Sequence, residues 1–364
     1  MINGKLKGVN MMSFIIFSMI SIRLVILPGD IIKYAKNDAW ISVLVASAVA
    51  YISAFIAYYI TSRNPGYNFA QLHTKLLGQF LGKFIMLAMT VYIITVAGMS
   101  LRLFSDSMKM FLLDRTPSIV IVGIMLFTCF YCLVKGIKTI SIVYDIIFPV
   151  VIIIIIIPLM TYKSAELKNL LPIIHNGISP IMKGSLYIID SSIGCGIISY
   201  IMPYFEDSKQ TKKWIIIGVT ISVITYAVLV TICILVFGAM EVQYLSFPSI
   251  LLAKTVEFRA EIFERVESFF MASWIPCVFA NIISLCIIAI LNLKEILSSK
   301  KINRIIILVV LSIMMVTFMP KDFVDVYENL LLNSRIAAYI NLIYIPIFFI
   351  IVVLKERGRK KYEK

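Results

Sequence analysis

The sequence predicts an all-α membrane protein of ten transmembrane helices, divided five and five, with the first and sixth helices broken. Three observations predict it. Sixty per cent of the 364 residues are hydrophobic and 15% are charged, and the mean hydropathy is +0.96. No water-soluble fold hides that much apolar surface, because even large domains leave part of theirs exposed. Apolar runs recur along the whole chain, most of them near the roughly 20 residues that span a bilayer core as helix. Polar or small residues interrupt the first and the sixth of these runs. Helices are favoured over a barrel because barrel strands alternate apolar and polar over about ten residues, whereas residues 152–157 are all isoleucine.

The first run, 11–28, holds Arg23 and ends at Leu27-Pro28. It lacks a small-residue cleavage site and is read as a retained span rather than a signal peptide. Its interior, Ile20-Ser21-Ile22-Arg23, is the first interruption. Run 39–60 follows. The connection 62–83 carries the turn signal Asn64-Pro65-Gly66 and then an apolar-polar mixture that predicts a short inner helix. Runs 84–101, 118–134 and 139–160 complete the first half. The connector 160–183 carries Leu171-Pro172 and Ser179-Pro180. Run 184–204 holds Asp190, the second interruption Ser191-Ser192-Ile193-Gly194-Cys195-Gly196, and Met202-Pro203 at its end. Run 214–240 leads to a long connection, 241–268, in which 254–267 reads as a charged amphipathic helix lying along the interface. Runs 269–293, 305–319 and 336–354 finish the chain. Pro149, Pro158, Pro203 and Pro276 are expected to kink or end helices. Residues 1–364 form one integral domain, with halves at about 9–160 and 184–354.

The formal charge of +14 is an orientation signal. With the N-terminus inside, the inner segments carry twenty Lys and Arg against five Asp and Glu, and the outer segments thirteen of each. That asymmetry is the positive-inside pattern and puts both termini in the cytoplasm. The basic tail 355–364 is also placed to touch anionic membrane lipids. No basic groove or motif supports a nucleic-acid partner. Six cysteines show no metal spacing. Cys129 and Cys132 lie inside the fourth run and read as packing thiols. No metal or cofactor is expected.

Matching interruptions in two halves point to a transporter-type binding site, because helix breaks expose backbone N–H and C=O groups that are costly in lipid unless filled. Close helix packing through Gly194 and Gly196 is the alternative. Arg23 is open to three readings: an ion pair with Asp190 or Asp145, a contact with a ligand carboxylate, or snorkelling to the interface. Asp190 is placed to neutralise Arg23, to accept a proton, or to cap the Ser191 and Ser192 amides. Asp145 lies about a turn into its run, near the headgroups. Ser21, Ser191 and Ser192 either bond a ligand or satisfy carbonyls of their own helices. Tyr92, Tyr187 and Trp274 line a cavity or pack, and for Trp274 packing is expected. Asn281 needs a partner inside the bundle. His73 and His175, the only histidines, fall in loops, and no enzyme constellation is present.

The block Leu245-Ser246-Phe247-Pro248, then Glu264-Arg265-Val266-Glu267-Ser268-Phe269-Phe270 and Trp274, resembles the permease subunit of nutrient-germinant receptors in bacterial spores. Leu27-Pro28 and Met202-Pro203 extend the likeness over almost the whole chain. The resemblance implies the amino acid–polyamine–organocation superfamily and its inverted repeat of five helices. It implies a subunit in the spore inner membrane beside a larger membrane subunit and a lipoprotein, binding a small germinant such as an amino acid and triggering germination. The pocket would then include Ser21, Ile22 and Arg23 from the first helix and Ser191, Ser192, Gly194, Cys195 and Gly196 from the sixth. Tyr92, Tyr187 and Asp190 join them as candidate ligand contacts. Two departures stand out. Ser21 and Arg23 occupy positions where the family carries glycine, and a glutamate common after the sixth-helix glycine is absent. An ion-coupled amino-acid transporter and a non-binding scaffold subunit remain alternative functions.

Overall fold

The computed structural model describes residues 5–20, 22–206, 209–256 and 266–362. Ser21, one of the expected pocket residues, lies outside the described residues, as does most of the expected amphipathic helix 254–267.

Helix α1 (Gly8–Met19) stops where Ile20 turns extended. A 3-10 turn, Ile22–Val25, leads into α2 (Leu27–Ala35), whose Pro28 sits in the first turn, where a missing N–H costs nothing. Then come α3 (Ala39–Arg63), α4 (Phe69–Leu77), α5 (Gln79–Phe111), α6 (Ser118–Lys135) and α7 (Ile137–Leu159). The sixth segment is built from α8 (Ile178–Leu186), α9 (Ile189–Ser192), a 3-10 turn Ile193–Gly196 and α10 (Ile197–Ile201). It is followed by α11 (Lys209–Phe237), α12 (Ala239–Val242), α13 (Pro248–Lys254), α14 (Val266–Leu297), α15 (Ile302–Thr317), α16 (Phe323–Tyr339) and α17 (Ile345–Tyr362).

Among the described residues, seven segments are long and apolar enough to cross a membrane: Leu27–Arg63, Gln79–Phe111, Ser118–Lys135, Ile137–Ser164, Gln210–Phe237, Val266–Leu297 and Phe323–Lys355. The pair Ile178–Leu186 and Ile189–Tyr204, bent by 48°, makes an eighth if taken as one span. The remaining two apolar runs form α1, of 12 residues, and α15, of 16. Both are short of the roughly 20 that cross hydrocarbon unaided. The bend in the sixth segment falls at Tyr187–Ile188, earlier than the expected Ser191-to-Gly196 break, which is instead a tightened 3-10 turn.

Helices α1 and α14 are the buried core, with α11, α7 and α5 packed around them. Small residues allow the closest approaches, as packing in lipid requires. Gly218 of α11 faces the Met12 carbonyl, where an added Cβ would come to 3.1 Å. The N-terminal segment is tied to the end of the sixth segment by Leu6 N–H donating to the Tyr204 carbonyl at 2.9 Å and Glu206 N–H donating to that of Leu6 at 3.0 Å.

Several local expectations change. Pro149 and Pro276 lie inside helices α7 and α14 and end neither, whereas Pro158 and Pro203 stand at helix ends as expected, Pro158 one residue before α7 stops and Pro203 in the 3-10 turn Met202–Tyr204 that closes the sixth segment. His73 belongs to α4 rather than a loop and is fully buried. The physical reason is a reciprocal cap: the Asn68 side chain accepts from Gln71 N–H at 2.9 Å, and the Gln71 side chain accepts from Asn68 N–H at 3.1 Å. His175 is exposed in the connector before α8.

Candidate functional site

The interruption in α1 frees the carbonyls of its last turn, which would normally be unpaired. Protein side chains take them. The Asn281 amide of α14 donates to the carbonyls of Phe17 and Ser18, each at 3.1 Å. The Tyr226 hydroxyl of α11 donates to that of Met19 at 2.8 Å. In the 3-10 turn that follows, Ser249 of α13 donates to the Leu24 carbonyl at 2.8 Å. The Phe17, Ser18 and Met19 carbonyls, expected to greet a ligand, are therefore already satisfied, and Asn281 finds its partners there.

The two broken segments touch through Gly194. A Cβ at that position would lie 2.4 Å from the Ser18 carbonyl oxygen, so only glycine lets the backbones meet. Ser18 Oγ donates across the contact to the Gly194 carbonyl at 2.8 Å. Cys195 is buried with its Sγ 3.5 Å from Met19 Sδ. Gly196 has open space around its Cα and borders a neighbouring apolar cavity of about 60 Å³.

Arg23 organises the polar centre. Its guanidinium donates to Asp190 Oδ2 at 2.5 Å, to Asp30 Oδ2 at 3.1 Å, to the Ser334 hydroxyl and to the Leu330 carbonyl at 3.4 Å. Both Arg23 and Asp30 side chains are almost wholly buried, at 4% and 3% exposure. A buried arginine needs this many acceptors because desolvating a charge is repaid only by near-complete pairing. Asp30 was not foreseen; it sits in the first turn of α2, just beyond Leu27-Pro28. The other proposed partner, Asp145, is engaged elsewhere, accepting from Asn10 at 2.6 Å and Ser13 at 2.9 Å. Asp190 spends its second carboxylate oxygen on Arg23 instead of capping Ser191 and Ser192, and Ser191 N–H goes to the Ile188 carbonyl at 2.9 Å.

Around this cluster lies a cavity of about 50 Å³ lined by Ser18, Arg23, Tyr92, Asp190, Gly194 and Asn333 among others. Polar atoms on its wall that are buried without a hydrogen-bond partner among the described residues include Asp190 Oδ1, an acceptor, and Asn333 Nδ2, a donor. Tyr92 borders the same space, its hydroxyl 3.4 Å from the Asn333 carbonyl. Ser191 also lines it and donates to Tyr226 at 3.4 Å. Ile22 and Ser192 are buried close by without lining the cavity. Tyr187 stands apart: it stacks on Tyr34 of α2 at 4.6 Å and donates to its hydroxyl at 2.6 Å. Trp274 packs against Phe104 at 5.8 Å.

A second cavity, of about 180 Å³, is lined by Asp30, Lys33, Gln243 and Tyr327. Lys33 donates to the Tyr327 hydroxyl at 2.8 Å, and that hydroxyl donates to Asp30. A continuous polar chain thus runs from Lys33 through Tyr327, Asp30 and Arg23 to Asp190, and the Arg23–Asp30 pair stands between the two cavities. Sequence reasoning missed Asp30, Tyr226, Tyr327, Asn333 and Ser334. No cluster of three or more His, Cys, Asp or Glu able to hold a metal exists among the described residues.

Solved structures share the fold. The chain resembles a nucleobase-cation-symport-1 family transporter, MHP1, closed around bromovinylhydantoin, at a TM-score of 0.65 and 12% identity over 93% of this chain and 78% of that one. It resembles a manganese transporter of Eremococcus coleocola at 0.66 and 14% over the same shares. Among curated relatives, the spore germination protein YndE of Bacillus subtilis is 29% identical over 356 residues, 96% of each chain. The family described as Spore germination protein matches residues 5–326, and this chain belongs to it.

Proposed function

We propose that this chain is the permease-like subunit of a nutrient-germinant receptor and binds a small amino-acid germinant in the cavity beside Arg23. The observation that carries this reading is the pair of unspent polar atoms on the cavity wall. Asp190 Oδ1 suits an ammonium and Asn333 Nδ2 suits a carboxylate. The formal sum of Arg23, Asp30 and Asp190 is one negative charge, which favours the ammonium end further. Satisfying two buried orphans gives a ligand more affinity than replacing bonds already made.

At about 50 Å³ the cavity is small beside the ~150 Å³ in which an engineered apolar cavity takes up benzene. Binding therefore goes with a second, wider arrangement of the broken segments. A ligand shifts the balance between the two only through its tighter binding to one. That shift is the signal. In this reading the chain crosses the spore inner membrane ten times as two inverted five-helix repeats, about 9–160 and 184–354, with both termini cytoplasmic. A larger membrane subunit and a lipoprotein complete the receptor.

The test is equilibrium binding of an amino-acid panel to the purified receptor complex, followed by flux in vesicles. Saturable binding lost in Asp190→Asn, without accumulation in vesicles, is the expected result. Accumulation would make the chain an ion-coupled amino-acid transporter instead. No binding of any amino acid would leave the scaffold reading, which the side-chain capping of the first-helix carbonyls by Asn281 and Tyr226 favours.

A further inference from the structure

At the end of the bundle where Leu6 meets Phe205, a cleft opens between the α6–α7 turn, α14 and the start of α15. Its volume is about 160 Å³, and its walls include Ile140, Ile290 and Tyr204, with Lys135, Gly136 and Asn303 at the turns that bound it. The walls are apolar, so water entering there finds too few partners. Five exposed cations stand on those two turns: Lys135 and Lys138 on one, Lys300, Lys301 and Arg304 on the other. None of them is ion-paired among the described residues. The nearest acid in the α14–α15 region, Glu295, is turned away and accepts from Thr74 of α4 at 2.7 Å.

We propose that this cleft binds one anionic phospholipid, its phosphate held by Lys135, Lys301 and Arg304 and the start of an acyl chain seated against Ile140 and Ile290. The chemistry matches at both ends. Basic pockets between membrane helices hold anionic headgroups, and each Lys or Arg near the surface adds to the attraction. An aromatic residue such as Tyr204 favours the headgroup level. A helix from another protein, some 10 Å across, does not fit a space of this size. The site is independent of the germinant cavity.

The experiment is native mass spectrometry of the full chain with phosphatidylglycerol and phosphatidylcholine of matched acyl chains. Phosphatidylglycerol is expected to be retained about tenfold more tightly. The combined Lys135→Gln, Lys301→Gln and Arg304→Gln variant is expected to erase that preference. Ile290→Trp, which fills the cleft and leaves the charge intact, is expected to weaken retention of both lipids. Inorganic phosphate should not displace the bound lipid; displacement would refute the acyl seat. Equal retention of the two lipids by the unaltered protein overturns the proposal. A photoactivatable phosphatidylglycerol gives a readout that needs no variant: adducts within residues 133–140 and 302–306 support the site, and adducts confined elsewhere reject it.

Discussion

Arg23 and Asp190 meet at 2.5 Å although 167 residues separate them in the chain. One stands beside the first helix break and the other beside the sixth, so a single charge contact fixes how the two interrupted segments sit. Asp30 adds a second anchor at 3.1 Å on the same guanidinium.

Removing that guanidinium leaves two carboxylates buried without their cation. Arg23→Met is expected to cost about 3–5 kcal/mol, the range for breaking a buried pair from one side. In a double-mutant cycle, Arg23→Met combined with Asp190→Asn should cost less than the sum of the single changes by about 1–3 kcal/mol. Thermal or denaturant unfolding in detergent measures both. Additive losses would mean that the contact carries no coupling.

Gly194 and Gly196 are two residues apart and should behave oppositely. A Cβ at Gly194 would press on the Ser18 carbonyl at 2.4 Å, so Gly194→Ala must part the broken segments. Its expected cost is about 1–3 kcal/mol, as for overpacking elsewhere, together with an altered germinant response. Gly196 has helical backbone and no atom within 4 Å of an added Cβ. Gly196→Ala is expected to be neutral or stabilising by up to about 1 kcal/mol. Equal damage at both positions would mean that the open space at Gly196, rather than the contact at Gly194, carries function.

His73 sets a pH window for stability. Its Nδ1–H donates to the Phe69 carbonyl at 2.7 Å, so Nε2 carries the lone pair and accepts from the Tyr344 hydroxyl. Burial holds its pKa down to about 4, against an ordinary 6.5, and the weaker pull of the Phe69 carbonyl opposes that shift. Between those values the unfolded chain binds a proton that the folded chain does not, so unfolding becomes easier as pH falls. The contribution is complete above about pH 6.5, declines from there to about 4, and is constant below. His73→Gln should flatten that part of the melting-temperature profile. An unchanged slope would assign the pH dependence to other groups.

Hydropathy made the helices legible because lipid demands apolar length, and the pairing of Arg23 with Asp190 was readable because few charges fall inside the apolar runs. Asp30 escaped because it follows Leu27-Pro28 and reads as connector, whereas the chain restarts a buried helix there. Tyr226 escaped because its ring counts as apolar while its hydroxyl caps the Met19 carbonyl. Asn333 and Ser334 escaped because α16 begins at Phe323, thirteen residues before the apolar run at 336, and both lie buried on it, two to three residues ahead of that run. The burial of His73 had a readable signal in Asn68 and Gln71, whose three-residue spacing is that of a helix cap.

In the proposed germinant cavity, Asn333 is expected to separate ligand binding from stability. Its Nδ2 is buried without a partner among the described residues, so the folded protein gains nothing from that donor. Replacing an unsatisfied buried group by an apolar one of similar shape is neutral or favourable for folding. Asn333→Leu is therefore expected to leave the melting temperature unchanged or slightly raised. Germinant binding should nevertheless weaken about tenfold, the value of one hydrogen bond to a charged group. Equilibrium binding and unfolding measured on the same preparation give both quantities. A parallel loss of stability and affinity would make Asn333 a packing residue. Intact affinity with intact stability would remove it from the cavity's chemistry.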